Sequence, residues 1–87
     1  MSSYLLSWTQ EAWESYLYWQ KHDKKMLKRI NMLIKDTLRD PYSGLGKPEA
    51  LKANLSGFYS RRIDIEHRLV YAIEEKQIVI ISCRYHY

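Results

Sequence analysis

The chain has 87 residues, 46% of them apolar and 28% charged, which is room for one small globular domain that we place at residues 1–87. Its one cysteine, Cys83, excludes an internal disulfide, and no apolar run approaches the ~20 residues that a membrane-spanning helix needs. The formal net charge of +4 favours an anionic partner such as nucleic acid or an acidic protein. The N-terminus has no basic start or long apolar segment, so we expect a cytoplasmic protein without a secretion signal.

The first half of the chain is predicted to form one short strand and two helices. Residues 4–8 are an apolar and aromatic run that is typical of a strand. Thr9 and Asp23 can each cap a helix N-terminus, and apolar residues at helical spacing follow both of them. In the second helix these apolar positions are Leu27, Ile30, Ile34 and Leu38. We expect this helix to end near Asp40, because Pro41 cannot continue it.

The second half is predicted to form a loop and a small antiparallel sheet. The segment PYSGLGKPEA holds both prolines and two of the three glycines, so it must be irregular. Residues 58–64, 68–74 and 78–85 then read as strands, with a turn at residues 74–77. Their short links predict antiparallel pairing. The expected fold class is α+β, with two N-terminal helices packed on one face of an antiparallel sheet of about four strands that the N-terminal strand joins.

Alternation of side chains along each strand predicts which face meets the helices. In the last strand the predicted core face carries Val79, Ile81, Cys83 and Tyr85. The opposite face carries Ile80, Ser82, Arg84 and His86. In the preceding strand, Leu69, Tyr71 and Ile73 oppose Arg68, Val70 and Ala72. One face is therefore well suited to the helices, and the other mixes apolar and polar groups, as a shallow groove would.

The chemically active side chains argue against several kinds of site. The three histidines have no spacing that fits a metal template, so we expect no metal site. Cys83 lies on the predicted core face, which favours packing over a role as nucleophile. Gly44 and Gly46 are not followed by the Lys-Ser/Thr pair of a phosphate-binding loop.

A carboxylate, several cations and a histidine at the end of the chain remain, and such a set suits general acid–base cleavage of an RNA phosphodiester. Taken alone, each of these residues also has an ordinary structural interpretation. Glu49 on a loop can be a solvated charge, and His86 can form a hydrogen bond near a strand end. Arg68 can pair across the turn with Glu66 or Asp64.

Five motifs occur in order along the chain: Lys-Pro-Glu (47–49), Leu-Ser-Gly-Phe (55–58), Ser-Arg-Arg-Ile (60–63), His-Arg-Leu-Val-Tyr (67–71) and Tyr-His-Tyr (85–87). In this order and spacing they resemble the YoeB-type toxins, which belong to the RelE superfamily of bacterial type II toxin–antitoxin systems. The segments SWTQEAWESYLYWQ and KRINMLIKDTLRDPYSG also resemble the helical half of that family. The resemblance therefore covers nearly the whole chain.

The resemblance implies a RelE-like microbial RNase fold and a ribosome-dependent, metal-independent mRNA endonuclease that needs no cofactor. Its catalytic residues would be Glu49 as general base, His86 as general acid and Arg68 as the group that stabilises the transition-state phosphate. Lys52 and Arg62 would contact phosphate, and Tyr87 would place the substrate. Three other residues, Arg61, Arg84 and His67, are assigned to structural or general RNA-contacting roles.

The same resemblance implies the partners. These would be a YefM-like antitoxin, the 70S ribosome and mRNA, with operator DNA reached only through the antitoxin and no membrane involved. The family also suggests a homodimer. An alternative hypothesis is a catalytically weak module of the same fold, which binds RNA or antitoxin and acts with the antitoxin as a transcriptional corepressor.

Overall fold

The computed structural model describes residues 3–85 and consists of two helices packed against a five-stranded sheet. The elements are β1 (Leu5–Trp8), α1 (Gln10–His22), α2 (Lys24–Arg39), β2 (Glu49–Ala50), a 3₁₀ turn (Ala53–Leu55), β3 (Phe58–Arg62), β4 (Arg68–Glu74) and β5 (Gln77–Ser82). Both helices precede the long strands, as the sequence predicts.

The strand order in the sheet is β1-β5-β4-β3-β2. The three long strands form the expected antiparallel meander, and β1 joins its edge beside β5. The α+β class is confirmed, but the sheet is mixed because β1 runs parallel to β5. The additional strand β2 pairs antiparallel with β3. Its two residues are too few to leave a periodic pattern in the sequence.

Side-chain caps set both helix starts. The Thr9 hydroxyl accepts a hydrogen bond from the Ala12 N–H at 3.1 Å. The Asp23 carboxylate accepts one from the Met26 N–H at 3.2 Å. Each bond satisfies a backbone donor that the helix itself leaves without a partner. Both predicted caps are confirmed, and α2 ends at Arg39, just before Asp40 and Pro41.

The hydrophobic core lies between the helices and one face of the sheet. Its buried residues are Ala12, Trp19, Ile30, Leu33, Ile34, Ile63, Leu69, Tyr71, Ile78, Ile80 and Cys83. Burying a large aliphatic or aromatic side chain stabilises a fold by about 1.5–3 kcal/mol relative to leaving it exposed. The predicted division of β4 is confirmed, because Leu69 and Tyr71 belong to this core and Ile73 packs against it.

A β-bulge in β5 changes which side chains of that strand meet the helices. Val70 of β4 pairs with Ser82. The next residue of β4, Tyr71, pairs with Ile80, which leaves Ile81 as the extra residue. An extra residue in one strand reverses the alternation of its side chains beyond that point.

The predicted core face of the last strand is therefore wrong at Val79, Ile80 and Ile81, and it is also wrong at Tyr85, which is 55% exposed. Ile80 belongs to the core, whereas Val79 pairs with Ala72 on the face away from the helices. The same bulge brings Cys83 into the core, as predicted, although the regular alternation from Ile80 would place it outside. Nothing in the run of β-forming residues marks where the extra residue falls.

A buried arginine fastens the loop that follows α2. Arg61 on β3 has no solvent exposure, and its guanidinium lies 2.7 Å from the carboxylate of Asp36. The guanidinium also donates to the Tyr71 hydroxyl at 3.1 Å. Its remaining donors bind three backbone carbonyls of the loop, those of Asp40, Ser43 and Leu45. Full burial makes Arg61 structural and not an RNA contact.

The Asp36 carboxylate completes this network from α2. It accepts a hydrogen bond from the Leu45 N–H at 2.8 Å as well as the bonds from Arg61 and Arg39. The Leu45 bond is the main cause, and the two arginines add to it, so that the pKa of Asp36 falls to about 2. Burial raises the pKa of Tyr71, whose hydroxyl donates to the Pro41 carbonyl at 2.7 Å. The loop is thus held by charge-assisted hydrogen bonds before it reaches β2.

Candidate active site

The predicted base and the predicted phosphate-binding cation lie in contact. One guanidinium nitrogen of Arg68, Nη1, lies 3.2 Å from Oε1 of Glu49. The same nitrogen lies 3.5 Å from the hydroxyl of Ser60. The Glu49 side chain is 59% exposed and that of Arg68 is 28% exposed, so a substrate can reach both groups. The structure therefore joins two of the sequence-predicted site residues.

Strand register explains how these residues meet. Glu49 of β2 pairs with Ser60 of β3, and Ser60 pairs with Val70 of β4. Directly paired residues point to the same face of a sheet. Val70 lies two residues beyond Arg68 on the same strand, so all four side chains share the face away from the helices. Ser60 is not among the residues that the sequence singled out, although its spacing from Arg62 predicts this face.

The loop before β2 turns sharply to deliver Glu49 to this face. Gly46 and Lys47 both have positive φ, at 79° and 52°. The Gly46 carbonyl accepts a hydrogen bond from the Arg62 N–H at 2.7 Å, which ties the loop to the end of β3. A Cβ on Gly46 would lie 3.0 Å from the Arg62 carbonyl oxygen and 2.9 Å from Cδ2 of Leu33. Only a glycine fits this close approach without displacing its neighbours.

The two other predicted phosphate-binding cations are close to Glu49 and Arg68, Lys52 in sequence and Arg62 by strand pairing. Arg62 is exposed and pairs directly with Arg68 across β3 and β4. Lys52 is exposed and stands at the start of the 3₁₀ turn, three positions after Glu49. Like charges that face each other across a sheet repel, and an anion bound between Arg62 and Arg68 would relieve that repulsion.

The alternative pairing of Arg68 across the β3–β4 turn does not occur. Asp64 instead accepts hydrogen bonds from the backbone N–H groups of Glu66 and His67, at 2.8 and 2.6 Å. Glu66 approaches the His67 ring, with 3.4 Å between Oε1 and Nε2. The guanidinium of Arg68 is left to reach Glu49.

The predicted general acid His86 and the predicted substrate contact Tyr87 lie outside the described residues. The last described residue, Tyr85, is fixed at both of its backbone polar groups. Its N–H donates to Nδ1 of His67 at 2.6 Å, and its carbonyl accepts from the Arg68 N–H at 2.8 Å. The backbone of Tyr85 therefore lies beside that of Arg68. This use of His67 has no signature in the sequence.

Arg84 does not lie on the open face, and the prediction that grouped it with Ser82 there is wrong. Its guanidinium carbon stacks 3.6 Å from the centre of the Tyr18 ring on α1 and 5.8 Å from that of Trp19. The chain leaves regular strand geometry after Ser82 and Tyr85 adopts a φ of 64°, so strand alternation no longer applies there. Arg84 thus makes a cation–π contact with α1.

The remaining chemical groups are accounted for by packing. Cys83 is buried in the core, and burial raises its pKa to about 12, which keeps the thiol protonated at neutral pH. Within residues 3–85 there is no group of three or more His, Cys, Asp or Glu side chains placed to hold a metal ion. In the same part of the chain, no helix is long and apolar enough to cross a membrane.

Comparison with known proteins identifies the family. Residues 8–87 match the family model described as "YoeB-like toxin of bacterial type II toxin-antitoxin system". Toxin YoeB of Escherichia coli K12 is 61% identical over 82 residues, which cover 94% of this chain and 98% of that protein.

Solved structures agree with the sequence match. The YoeB dimer from Staphylococcus aureus has a TM-score of 0.90 and 49% identity, covering 99% of this chain and all of the matched one. The YoeB–YefM complex from the same organism has a TM-score of 0.89 and 48% identity, with the same coverage. This chain belongs to the YoeB-like toxins of bacterial type II toxin–antitoxin systems.

Proposed function

We propose that this toxin is a ribosome-dependent, metal-independent endoribonuclease that cuts mRNA in the ribosomal A site and so inhibits translation. One observation carries the proposal, namely the contact between the solvent-accessible side chains of Glu49 and Arg68 on the sheet face away from the helices. A proton acceptor and a phosphate-binding cation at hydrogen-bond distance are two of the three groups that RNA transesterification needs.

In the proposed reaction Glu49 removes the proton of the 2′-hydroxyl. The 2′-oxygen then forms a bond to the adjacent phosphorus, and the bond from phosphorus to the 5′-oxygen breaks. His86 donates a proton to that 5′-oxygen. The products are a 2′,3′-cyclic phosphate and a 5′-hydroxyl, so atoms and charges balance without water, a metal or a cofactor.

Arg68 would stabilise the charge that builds on the phosphate oxygens. Its pairing with Glu49 is solvent-exposed, and such pairs contribute only about 0–1 kcal/mol. An incoming phosphate can therefore take over the guanidinium at little cost and leave the carboxylate free to accept a proton. Arg62 and Lys52 add positive charge along the approach, where each would hold a neighbouring phosphate of the message.

The assignment of His86 as general acid rests on family position and on chain continuity. Because consecutive Cα atoms are about 3.8 Å apart, residue 86 begins next to Tyr85, whose carbonyl accepts from the Arg68 N–H. In this proposal the His86 imidazole protonates the leaving 5′-oxygen of the phosphate that Arg68 binds. Tyr87 would then help to place the substrate.

We propose a YefM-like antitoxin as the partner that holds the toxin inactive. A Staphylococcus aureus YoeB has been solved with YefM, and a YoeB from that species has been solved as a dimer. By the same likeness this chain would form a homodimer, act in the cytoplasm and reach operator DNA only through its antitoxin. Acidic side chains of the antitoxin would form ion pairs with Arg62 and Arg68.

Cleavage of message on programmed ribosomes, in the presence of EDTA, tests the proposal. The wild-type toxin should cut ribosome-bound message in the A-site codon and leave the same RNA without ribosomes almost intact. Toeprinting locates the cut. A toxin that binds antitoxin but leaves the ribosome-bound message whole would overturn the nuclease assignment and support the corepressor module instead. Equal cleavage of free RNA would overturn the ribosome dependence.

A further inference from the structure

The backbone at Tyr85 is held in an uncommon conformation. Its φ of 64° lies in the left-handed region, which bulky residues other than glycine rarely adopt. Such a conformation persists where surrounding contacts determine it. Here the contacts are the hydrogen bonds to both polar backbone groups of Tyr85, one from the Arg68 N–H and one to the His67 ring. Together they fix the backbone of Tyr85 beside that of Arg68.

The His67 ring is itself rigidly placed. The residue is only 7% exposed, and its ring meets that of Trp19 edge-on with 4.9 Å between ring centres. Trp19 also contacts the chain end directly, because its indole N–H donates to the Cys83 carbonyl at 2.9 Å. Core packing thus fixes the ring, and the ring fixes Tyr85.

The hydrogen bond also assigns the chemical form of His67. A backbone N–H can only donate, so Nδ1 must act as an acceptor and carry no proton. The ring proton then sits on Nε2, which faces Glu66. The acceptor nitrogen of His67 is therefore engaged by the Tyr85 N–H and unavailable for proton transfer to a substrate.

We infer that His67 is a positioning residue for the reaction, which fixes the backbone of Tyr85, the residue that precedes the proposed proton donor. The inference rests on the proposed function, in which His86 is the proton donor. Without the Nδ1 acceptor the Tyr85 N–H turns to water, and the left-handed backbone relaxes toward ordinary conformations. A misplacement of about 1 Å can reduce the rate of an enzyme about 100-fold. We therefore expect the loss of this hydrogen bond to lower kcat and to leave the affinity for substrate unchanged.

Two variants with amide side chains, His67→Asn and His67→Gln, separate the hydrogen-bond role of Nδ1 from the packing role of the ring. In His67→Asn the amide oxygen occupies the place of Nδ1 and keeps the acceptor. In His67→Gln the amide reaches the place of Nε2 and leaves Nδ1 without a substitute. Both remove the ring from Trp19, so both lower the melting temperature to a similar degree.

Single-turnover cleavage on programmed ribosomes is the first measurement. We expect His67→Gln to lower kcat about 10- to 100-fold with KM unchanged, and His67→Asn to recover most of that loss. The backbone amide of Tyr85, followed by hydrogen exchange in ¹⁵N-labelled toxin, should exchange faster in His67→Gln than in His67→Asn. Equal activity in the two variants, or equal exchange, would overturn the inference.

A double-mutant cycle with His86→Ala shows whether His67 acts through His86. Groups that act through one another give non-additive effects. We expect His67→Gln to add little loss once His86 is gone. The same fold-loss in both backgrounds would contradict a positioning role.

The proposed function and this inference fail in different ways. A wild-type toxin that does not cut the message refutes the function, and the amide-exchange comparison still reports whether His67 holds Tyr85. A wild-type toxin that cuts the message, together with a fully active His67→Gln variant, refutes the positioning role and leaves the function standing.

Discussion

The guanidinium of Arg68 lies 3.2 Å from the carboxylate of Glu49, although the two residues are 19 positions apart in the chain. They meet because Glu49–Ala50 pairs with β3, and β3 in turn pairs with β4. The buried network around Arg61 holds the preceding loop to α2, so the contact depends on a part of the molecule that no substrate reaches. The side chains that anchor the loop are therefore different from the side chains that would contact the substrate.

Replacing Glu49 with glutamine tests the base. Glu49→Gln keeps the size and hydrogen-bonding shape of the side chain but cannot take the 2′-hydroxyl proton. We expect cleavage on ribosomes to fall about 100-fold or more. The free energy of unfolding should change by less than about 1 kcal/mol, because the lost ion pair is exposed.

Glu75→Gln is the matched control, since Glu75 is an exposed glutamate in the β4–β5 turn, away from the site. It should cut message at the wild-type rate. Full activity of Glu49→Gln would remove Glu49 from the mechanism.

Asp36 offers two arginines of opposite burial for a stability test. Arg61 is fully buried, whereas the Arg39 side chain is 63% exposed, and both bind the same carboxylate. Arg61→Met should lower the free energy of unfolding by about 3–5 kcal/mol, because it removes the buried partner of Asp36 and the donor to three loop carbonyls. Arg39→Met should cost less than about 1 kcal/mol.

Urea unfolding measures both variants. Similar small losses for the two would show that the buried network does not hold the fold together. Arg61 is buried and does not face the substrate. The folded fraction of Arg61→Met should therefore still carry the Glu49 carboxylate and the Arg68 guanidinium.

The lowered pKa of Asp36 predicts a loss of stability in acid. Its folded-state pKa of about 2 lies below the ordinary value of 3.8, since the Leu45 N–H and the arginines favour the ionised form. The resulting stability is fully present above the unfolded pKa and is lost as the pH falls from about 4 to about 2. Asp40, whose pKa is lowered chiefly by the Tyr42 N–H, acts in the same direction.

Urea unfolding at a series of pH values between 2 and 6 checks this prediction. The free energy of unfolding of the wild type should decrease with acid more steeply than that of Asp36→Asn, which cannot titrate at this position. Parallel curves for the two proteins would contradict the role assigned to Asp36.

Gly57 and Gly46 both have positive φ, and comparing an alanine at each position separates the cost of backbone strain from the cost of close packing. A Cβ on Gly57, with φ of 99°, would meet nothing within 4 Å, whereas one on Gly46 would press on Leu33 and the Arg62 carbonyl. Gly57→Ala should cost about 1–2 kcal/mol from conformation alone. Gly46→Ala should cost at least about 1 kcal/mol more from overpacking, and it should also reduce cleavage, because the loop carries Glu49.

Thermal or urea unfolding of the two variants gives the comparison. Equal losses would mean that the approach of the loop to β3 can relax freely. Unchanged cleavage by Gly46→Ala would indicate that Glu49 is positioned by β2 pairing without the loop.

Much of the fold could be predicted from local signals. The caps at Thr9 and Asp23 and the apolar spacing of α2 are short-range features, and so they appear directly in the sequence. The bulge at Ile81 could not be predicted, because it depends on how β5 meets β4. The pairing of two-residue β2 is likewise a tertiary effect, too short to give a period.

The candidate site also combines features that the sequence predicts with features that depend on the folded structure. The resemblance placed Glu49 and Arg68 in one site, and their contact is observed. The specific contacts of Ser60 and His67 could not be predicted from the sequence, because they are hydrogen bonds between distant segments. The position of His86 lies outside the described residues, so its role stays a prediction.

The most direct test of the proposed chemistry is a ribosome-bound message with a single 2′-deoxynucleotide immediately 5′ to the scissile phosphate. The 2′-oxygen is the nucleophile in this mechanism, so we predict that the wild-type toxin leaves that message uncut while it cleaves the all-ribose message to a 2′,3′-cyclic phosphate end. Cleavage of the deoxy-substituted message at the same position and rate would contradict the account.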